Sequence, residues 1–75
     1  MVLAYILMQI QPGKEKKIID KLSKIKEVKE THLLYGEYDL IAKVEFENIK
    51  KLNDFVLNVL RKQNGVKVTS TMICV

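Results

Sequence analysis

The sequence predicts an α+β domain whose elements follow the order β-α-β-β-α-β. Three observations predict it. Apolar residues alternate with period two in four segments, they recur at helical spacing in two others, and glycine, proline or asparagine marks several of the boundaries. With 75 residues, the chain has the size of one small domain. We therefore expect residues 1–75 to form a single domain.

The first predicted strand spans residues 2–10. Its alternating side chains are Val2, Ala4, Ile6, Met8 and Ile10 on one face and Leu3, Tyr5 and Leu7 on the other. Because both faces are apolar, both should be covered in the folded protein. Pro12 and Gly13 end the strand.

The first predicted helix spans residues 14–26. Its apolar residues fall on one stripe, while lysines and acids fill the opposite side. The stripe consists of Ile18, Ile19, Leu22 and Ile25.

A hairpin follows, with strands over residues 28–35 and 38–46 that are joined at Gly36. In the first of these strands, the pattern places Val28, His32 and Leu34 on one face, opposite Leu33 and Tyr35. In the second, Leu40, Ala42, Val44 and Phe46 share a face.

The second predicted helix spans residues 48–64. Asn48 is suited to cap its start, and Gly65 suits the left-handed position after its last turn. Its stripe consists of Ile49, Leu52, Phe55, Val56, Val59 and Leu60. The remaining run, residues 66–75, is the fourth strand.

This order is the split βαβ, or ferredoxin-like, arrangement. Right-handed crossovers place both helices on one face of a four-stranded antiparallel sheet. The other face stays uncovered although the first strand is apolar on both sides, and 48% of all residues are hydrophobic. We therefore expect that face to pair with the same face of another copy.

Several kinds of site are disfavoured. One histidine and one cysteine cannot complete a zinc site within a chain, and the two serines, Ser23 and Ser70, lack a credible base arrangement for a catalytic triad. No glycine-rich phosphate loop occurs. A lone cysteine, Cys74, excludes an internal disulfide, which favours a reducing, cytoplasmic setting. We expect no metal, no cofactor and no catalytic residue.

The charge pattern disfavours nucleic acid and membrane as direct partners. The net charge of +4 comes from 12 lysines and one arginine against 9 acids. Most lysines alternate with glutamate, as on a solvated helix face, whereas nucleic-acid readers use arginine forks and interleaved aromatics. No apolar run reaches the roughly 18 residues of a membrane span. Abundant lysine and glutamate with little glutamine would also suit a thermophile.

Two polar clusters are candidates for a ligand site. One is "YGEYD", which comprises Tyr35, Gly36, Glu37, Tyr38 and Asp39; the other is "TST", which comprises Thr69, Ser70 and Thr71. We expect Thr69 and Thr71 to share a face, and the last strand to lie beside the second one, so that both clusters approach one sheet edge, either within a subunit or between neighbouring subunits. The structural alternative stays open: threonine suits strands, and Asp39 could simply bond amides of the turn.

With "GEYD" at the hairpin and "GVKVTST" leading the last strand, the sequence resembles the C-terminal domain of the Lrp/AsnC regulators. This RAM (regulation of amino-acid metabolism) domain is the effector-binding and oligomerisation module of archaeal and bacterial transcription factors. The resemblance covers essentially all 75 residues. The family's hairpin is commonly Gly-Asp-(Tyr/Phe)-Asp, so Glu37 departs from it, as does Asn64 where the family often has proline.

The resemblance implies a stand-alone RAM protein without a helix-turn-helix domain, whose dimers assemble further into rings of eight or ten chains. It implies that a free amino acid binds between dimers, and that the protein acts by ligand sensing or by co-assembly with full-length regulators. Asp39 would bind the ammonium group, while amides near Gly36 and the hydroxyls of Thr69 and Thr71 would bind the carboxylate. His32, Leu33, Tyr35 and Tyr38 would select the ligand's side chain.

Two alternatives belong to other classes. One is a small dimeric enzyme, such as an oxygenase, with a pocket between sheet and helices that is lined by His32 and tyrosines. The related acyl-phosphate hydrolases use an arginine in the loop after the first strand, and the loop "QPGKEKK" contains none. The other alternative is a structural oligomeriser whose hairpin binds nothing.

Overall fold

A computed structural model describes residues 1–75 of the protein. The strands are β1 (Val2–Ile10), β2 (Val28–Leu33), β3 (Leu40–Phe46) and β4 (Val66–Ile73). The helices are α1 (Glu15–Leu22) and α2 (Ile49–Phe55), and α2 continues into a π-helical segment, Val56–Leu60. The predicted order β-α-β-β-α-β and the ferredoxin-like α+β fold are therefore confirmed.

The four strands form one antiparallel sheet in the order β2-β3-β1-β4. The expectation that the last strand lies beside the second one is wrong, because β2 and β4 form opposite edges of the sheet. The crossover from β1 to β2 skips one strand position, which β3 then fills. The crossover from β3 to β4 passes over β1, so that β4 pairs with the other side of β1.

The hydrophobic core lies between the helices and one face of the sheet, and all 14 buried residues are apolar. The predicted faces of β1 and β3 are confirmed, since the even-numbered residues of both strands from Ala4 to Ile10 and from Leu40 to Phe46 are buried. The helices contribute Ile18, Leu22, Leu52, Phe55, Val56 and Leu60. Where α2 meets β3, the rings of Phe46 and Phe55 lie 5.0 Å apart.

Both helices are shorter than predicted. After α1 the chain turns through short-range hydrogen bonds, such as that from the Ile25 amide to the Leu22 carbonyl at 3.0 Å. These bonds redirect the chain toward β2 and leave Ile25 packed against the core. The predicted cap of α2 is confirmed: the Asn48 side chain accepts a hydrogen bond from the Lys51 amide at 2.9 Å.

β2 ends two residues earlier than predicted and β3 begins two residues later, because residues 34–39 form a loop between them. A bulge in β2 changes the face of Val28, which was expected to lie with His32. Val28 pairs with Val44 and Glu30 with Lys43, so that β2 contains one extra residue between these two pairs. Val28 therefore packs against the core instead.

The sheet face opposite the helices, hereafter the open face, is apolar over much of its area. Register with β1 assigns to it Leu3, Tyr5, Leu7, Ile41, Val68 and Met72. Val68 is 45% exposed and Met72 is 49% exposed. Toward β2 the open face becomes charged, with Glu30, Lys43 and Glu45.

Candidate functional site

The hairpin loop is fastened to the end of β1 through Asp39. Its carboxylate oxygen Oδ2 accepts a hydrogen bond from the Ile10 amide at 2.7 Å. Its own amide donates to the Met8 carbonyl at 2.9 Å, and its carbonyl accepts from the Leu34 amide at 2.9 Å. Asp39 is thus bonded on both sides, to β1 and across the hairpin. The alternative that the Asp39 side chain bonds amides of the turn is not what the structure shows, because its carboxylate bonds the Ile10 amide of β1 and only its backbone bonds across the hairpin.

Gln9 gives the loop a second attachment that the sequence analysis missed. Its side-chain Nε2 donates to the Glu37 carbonyl oxygen at 3.1 Å. Gln9 is the one polar residue in the odd-numbered, open-face row of β1, and this break in an apolar pattern is the signal that would have identified it. The Glu37 side chain itself is exposed.

The tip of the hairpin projects into solvent. Tyr35 is fully exposed, Gly36 and Glu37 are also exposed, and Tyr38 is half-buried. A Cβ built on Gly36 would meet no atom within 4 Å, so the backbone there is open to another molecule. Gly36, Glu37, Tyr38 and Asp39 thus form one accessible surface at the tip of the hairpin.

The polar cluster of β4 is divided between the two faces of the sheet. Thr69 and Thr71 pair with Met8 and Ile6, whose side chains are buried beneath the helices, and the expectation that the two threonines share a face is confirmed. Ser70 pairs with Leu7 and therefore lies on the open face. Only the two threonines belong to the helix side.

Thr69 is joined there by Arg61, the only arginine of the chain. The Arg61 Nε–H donates to the Thr69 hydroxyl oxygen at 3.3 Å. The two residues line a surface cavity of about 420 Å³ together with Val66, Lys67 and Val68. The sequence analysis missed Arg61, although a lone arginine between a helix and the strand that carries "TST" was a usable signal. The cavity, hereafter the arginine cavity, is basic and suits a carboxylate.

The hairpin and the arginine cavity lie at the same end of the sheet but on opposite sides of β1. The register shows this directly, since Met8 pairs with Leu40 on one side and with Thr69 on the other. Two strand spacings amount to about 10 Å. The expected meeting of the two clusters at one sheet edge is therefore wrong within a single chain, because β1 separates them.

His32 lies apart from both clusters, on the open face of β2. Its Nε2 is 3.1 Å from the Glu30 carboxylate, which is also 3.5 Å from the Lys43 ammonium. The hydrogen bond from His32 and, next, the charge of Lys43 lower the pKa of Glu30. His32 thus belongs to a surface ion cluster within its own chain.

The other features bear on the alternative functions. None of the four surface cavities of the single chain is lined by His32 or by a tyrosine, whereas the enzyme alternative places its pocket within a dimer. The structure contains no cluster of three or more histidine, cysteine, aspartate or glutamate residues arranged to hold a metal ion. None of its helices is long and apolar enough to cross a membrane.

Curated proteins with similar sequences are HTH-type transcriptional regulators. The HTH-type transcriptional regulator FL11 of Pyrococcus furiosus is 36% identical over 72 residues, which are 96% of this chain and 47% of the relative. The chain thus spans about half the length of the curated relatives it matches. The crystal structure of FFRP-DM1 is 47% identical, covers both chains completely and superposes with a TM-score of 0.97.

A more distant structure shares the fold alone. The complex of the regulator NMB0573 from Neisseria meningitidis with L-methionine is 24% identical, with a TM-score of 0.91 over 99% of this chain and 49% of that one. The family model described as the Lrp/AsnC ligand binding domain matches residues 3–75. Since that match covers nearly the whole chain, the protein belongs to the Lrp/AsnC ligand-binding domain family.

Proposed function

We propose that this domain binds a free α-amino acid between two copies of itself and that the ligand shifts the equilibrium of self-assembly. The observation that carries the proposal is that two surfaces of opposite charge, the hairpin and the arginine cavity, are separated within one chain. The acidic hairpin and the basic arginine cavity lie at one end of the sheet with β1 between them. One chain cannot close such a site around a small ligand, whereas the hairpin of one copy facing the arginine cavity of another can.

Asp39 is suited to the ammonium end of the ligand. Its Oδ2 is occupied by the Ile10 amide, but its second carboxylate oxygen accepts no hydrogen bond within the chain. The internal bond holds the carboxylate in one orientation, which lowers the entropy cost of binding. The exposed backbone at Gly36 adds amides and carbonyls that a ligand can approach closely.

Arg61 and Thr69 are suited to the carboxylate end. A guanidinium presents parallel donors that match a carboxylate, and ion pairing of this kind is stronger than neutral hydrogen bonding. The Arg61–Thr69 hydrogen bond positions both groups at the arginine cavity, and Lys67 adds a second positive charge. Ser70 lies on the other face and has no part in this contact, while Thr71 lies one pleat further along β4.

Self-assembly rests on the open face. The apolar row of Leu3, Tyr5, Leu7, Ile41, Val68 and Met72 is large for a domain whose helices cover only the opposite face. Pairing of two open faces would bury this row and produce a homodimer. Contacts at the hairpin and arginine cavity would then join dimers into an octamer or a decamer, and the ligand would bind at those junctions.

The biological role that follows is regulatory and non-enzymatic. Ligand binding changes assembly only when it favours one assembly state over another. The amino-acid concentration would then control the assembly state of the domain, either alone or together with full-length Lrp/AsnC regulators. The L-methionine complex of the Neisseria regulator is consistent with an amino acid as ligand of this fold. The single free cysteine, Cys74, fits action in the reducing cytoplasm.

Sedimentation velocity with and without each of the twenty amino acids tests the proposal. We expect at least one amino acid to change the sedimentation coefficient in a saturable manner and to raise the thermal midpoint, because a ligand that binds the folded assembly stabilises it. Absence of any response to all twenty would contradict the proposal. N-acetylated and amidated forms of the active amino acid serve as controls, since each lacks one of the two charges.

A further inference from the structure

We propose that a groove on the helix side of the domain binds an acidic amphipathic helix of a partner protein, independently of the amino-acid site. The groove lies between the end of α1 and the end of the π-helical segment and has a volume of about 450 Å³. We call it the helix-end groove. It shares no lining residue with the hairpin or with the arginine cavity.

The floor of the helix-end groove is apolar. It consists of Ile18, Leu22, Ile25, Val59 and Leu60. Ile18, Leu22 and Leu60 also belong to the buried core, so the floor is fixed by the packing of the domain. Val59, 41% exposed, and Ile25, which is half-buried, provide the surface that a partner can still cover. An apolar stripe on a partner is what such a floor accommodates.

The rim of the groove is basic. Lys21, Lys24 and Lys62 line it, and a neighbouring depression of about 320 Å³ adds Lys14 and Lys17. Asp20 is the only acid in either lining. None of the five lysines forms an ion pair within the chain. With five lysines and one acid, the two depressions carry a combined charge of +4.

The apolar floor and the basic rim together determine which class of partner the groove can bind. A basic rim attracts an acidic partner, and charge complementarity across an interface favours association with partners of that sign. A nucleic-acid backbone would satisfy the lysines but would leave the apolar floor uncovered, and the groove contains no arginine. A helix with leucines or similar residues at i, i+3, i+4 and i+7, and with glutamates or aspartates elsewhere, satisfies both.

A designed peptide tests the proposal directly. A helix of about 14 residues makes about four turns, which is enough to present an apolar stripe at i, i+3, i+4 and i+7. The probe is a fluorescent peptide of this length with leucines on one stripe and glutamates elsewhere, and anisotropy reports its binding. The controls are a scrambled peptide of the same composition without the stripe, the same stripe with lysine in place of glutamate, and a duplex DNA of random sequence.

We expect saturable binding of the acidic helix with a Kd below about 1 mM and no comparable binding of the three controls. The double variant Lys21→Glu/Lys24→Glu should weaken binding at least about tenfold, and Val59→Asn at least about threefold. The matched double variant Lys16→Glu/Lys29→Glu makes the same charge change outside the groove and should alter Kd less than about twofold. Circular dichroism and amino-acid response verify that each variant is folded and that the ligand site is intact.

Several results would overturn the proposal. Equal binding of the scrambled peptide, equal weakening by the Lys16/Lys29 variant, tighter binding of DNA, or no saturable binding at all would each show that the groove does not recognise an acidic helix. A change in the solution mass of the unliganded protein upon Lys21→Glu/Lys24→Glu would show that another copy of this chain occupies the groove instead.

Discussion

The Asp39 carboxylate accepts a hydrogen bond from the Ile10 amide at 2.7 Å, although the two residues lie 29 positions apart. The bond joins the hairpin loop to the end of β1, where the pairing of β1 with β4 shifts register between Gln9 and Ile10. It satisfies an amide at this irregular point of the sheet. Asp39 therefore has a structural role before any ligand binds, and mutations there affect stability as well as binding.

Asp39→Ala should lower the free energy of unfolding by about 2 kcal/mol, because it removes a charged acceptor from a part-buried amide. Asp39→Asn keeps an acceptor of the same shape and should cost less than about 1 kcal/mol, yet both variants should lose the amino-acid response. Urea denaturation and sedimentation velocity measure the two effects. Asp20→Asn, the same substitution at an exposed carboxylate of α1 away from the hairpin, is the control. A full amino-acid response in Asp39→Asn would show that the Asp39 carboxylate does not bind the ammonium group of the ligand.

Arg61→Gln should weaken the amino-acid response at least about tenfold, since it removes the guanidinium that faces the arginine cavity. Arg61→Lys keeps the charge and should recover only part of the response, because an ammonium lacks the parallel donors. Arg61 is exposed, so unfolding free energies should stay within about 0.5 kcal/mol of the wild type. Lys62→Gln is the matched control; an equal loss in that variant would indicate a general charge effect.

Leu7→Lys should dissociate the expected dimer. It introduces a charge into the centre of the apolar row of the open face, where an unpaired buried charge is strongly unfavourable. Analytical ultracentrifugation should show a monomer at concentrations where the wild type is a dimer. Leu57→Lys places the same charge on the helical side at a residue that is already 51% exposed, and it should leave the mass unchanged. A Leu7→Lys protein of unchanged mass would contradict pairing through the open face.

Gly65→Ala should destabilise the fold more than Gly13→Ala does. Both glycines have left-handed backbones, with φ of 101° and 90°, so each alanine carries a strain of about 1 kcal/mol. A Cβ at Gly65 would lie only 2.7 Å from the Lys14 Cβ, whereas one at Gly13 meets nothing within 4 Å. We expect a further loss of about 1 kcal/mol or more for Gly65→Ala in thermal or urea unfolding. Equal losses would show that the Lys14 contact relaxes freely.

Glu30→Gln tests the ion cluster on the open face through pH. The folded-state pKa of Glu30 lies below its ordinary value of about 4.5, so its contribution to stability is present above that value and is lost as the pH falls through the folded-state pKa. The urea midpoints of wild type and Glu30→Gln should therefore differ slightly at neutral pH and converge as the pH falls below the folded-state pKa of Glu30. Glu37→Gln, whose side chain is in no ion pair, is the control for the change of charge alone. A Glu30→Gln difference that persists in acid would contradict the assignment.

Periodicity in the sequence predicted the order of the elements and the buried faces of β1 and β3. The period-two alternation of Val2–Ile10 and Leu40–Phe46 identified the core side of both strands, because one face of a sheet is buried and side chains alternate strictly. Asn48 and Gly65 were recognisable because a helix cap and a left-handed turn each require a particular residue type. The hairpin motif likewise indicated the family that the sequence match shows.

Only the tertiary structure determined which strands and which side chains are neighbours. The position of β4 depends on how the crossovers pack on the sheet, and it separates the hairpin from Thr69 by the width of β1. The bulge that redirects Val28 and the bonds of Gln9, Asp39 and Arg61 join residues that are distant in sequence or that carry no local signal. Local patterns report which face a residue occupies. The distances between such residues are set by strand order and register, which form only when the whole chain packs.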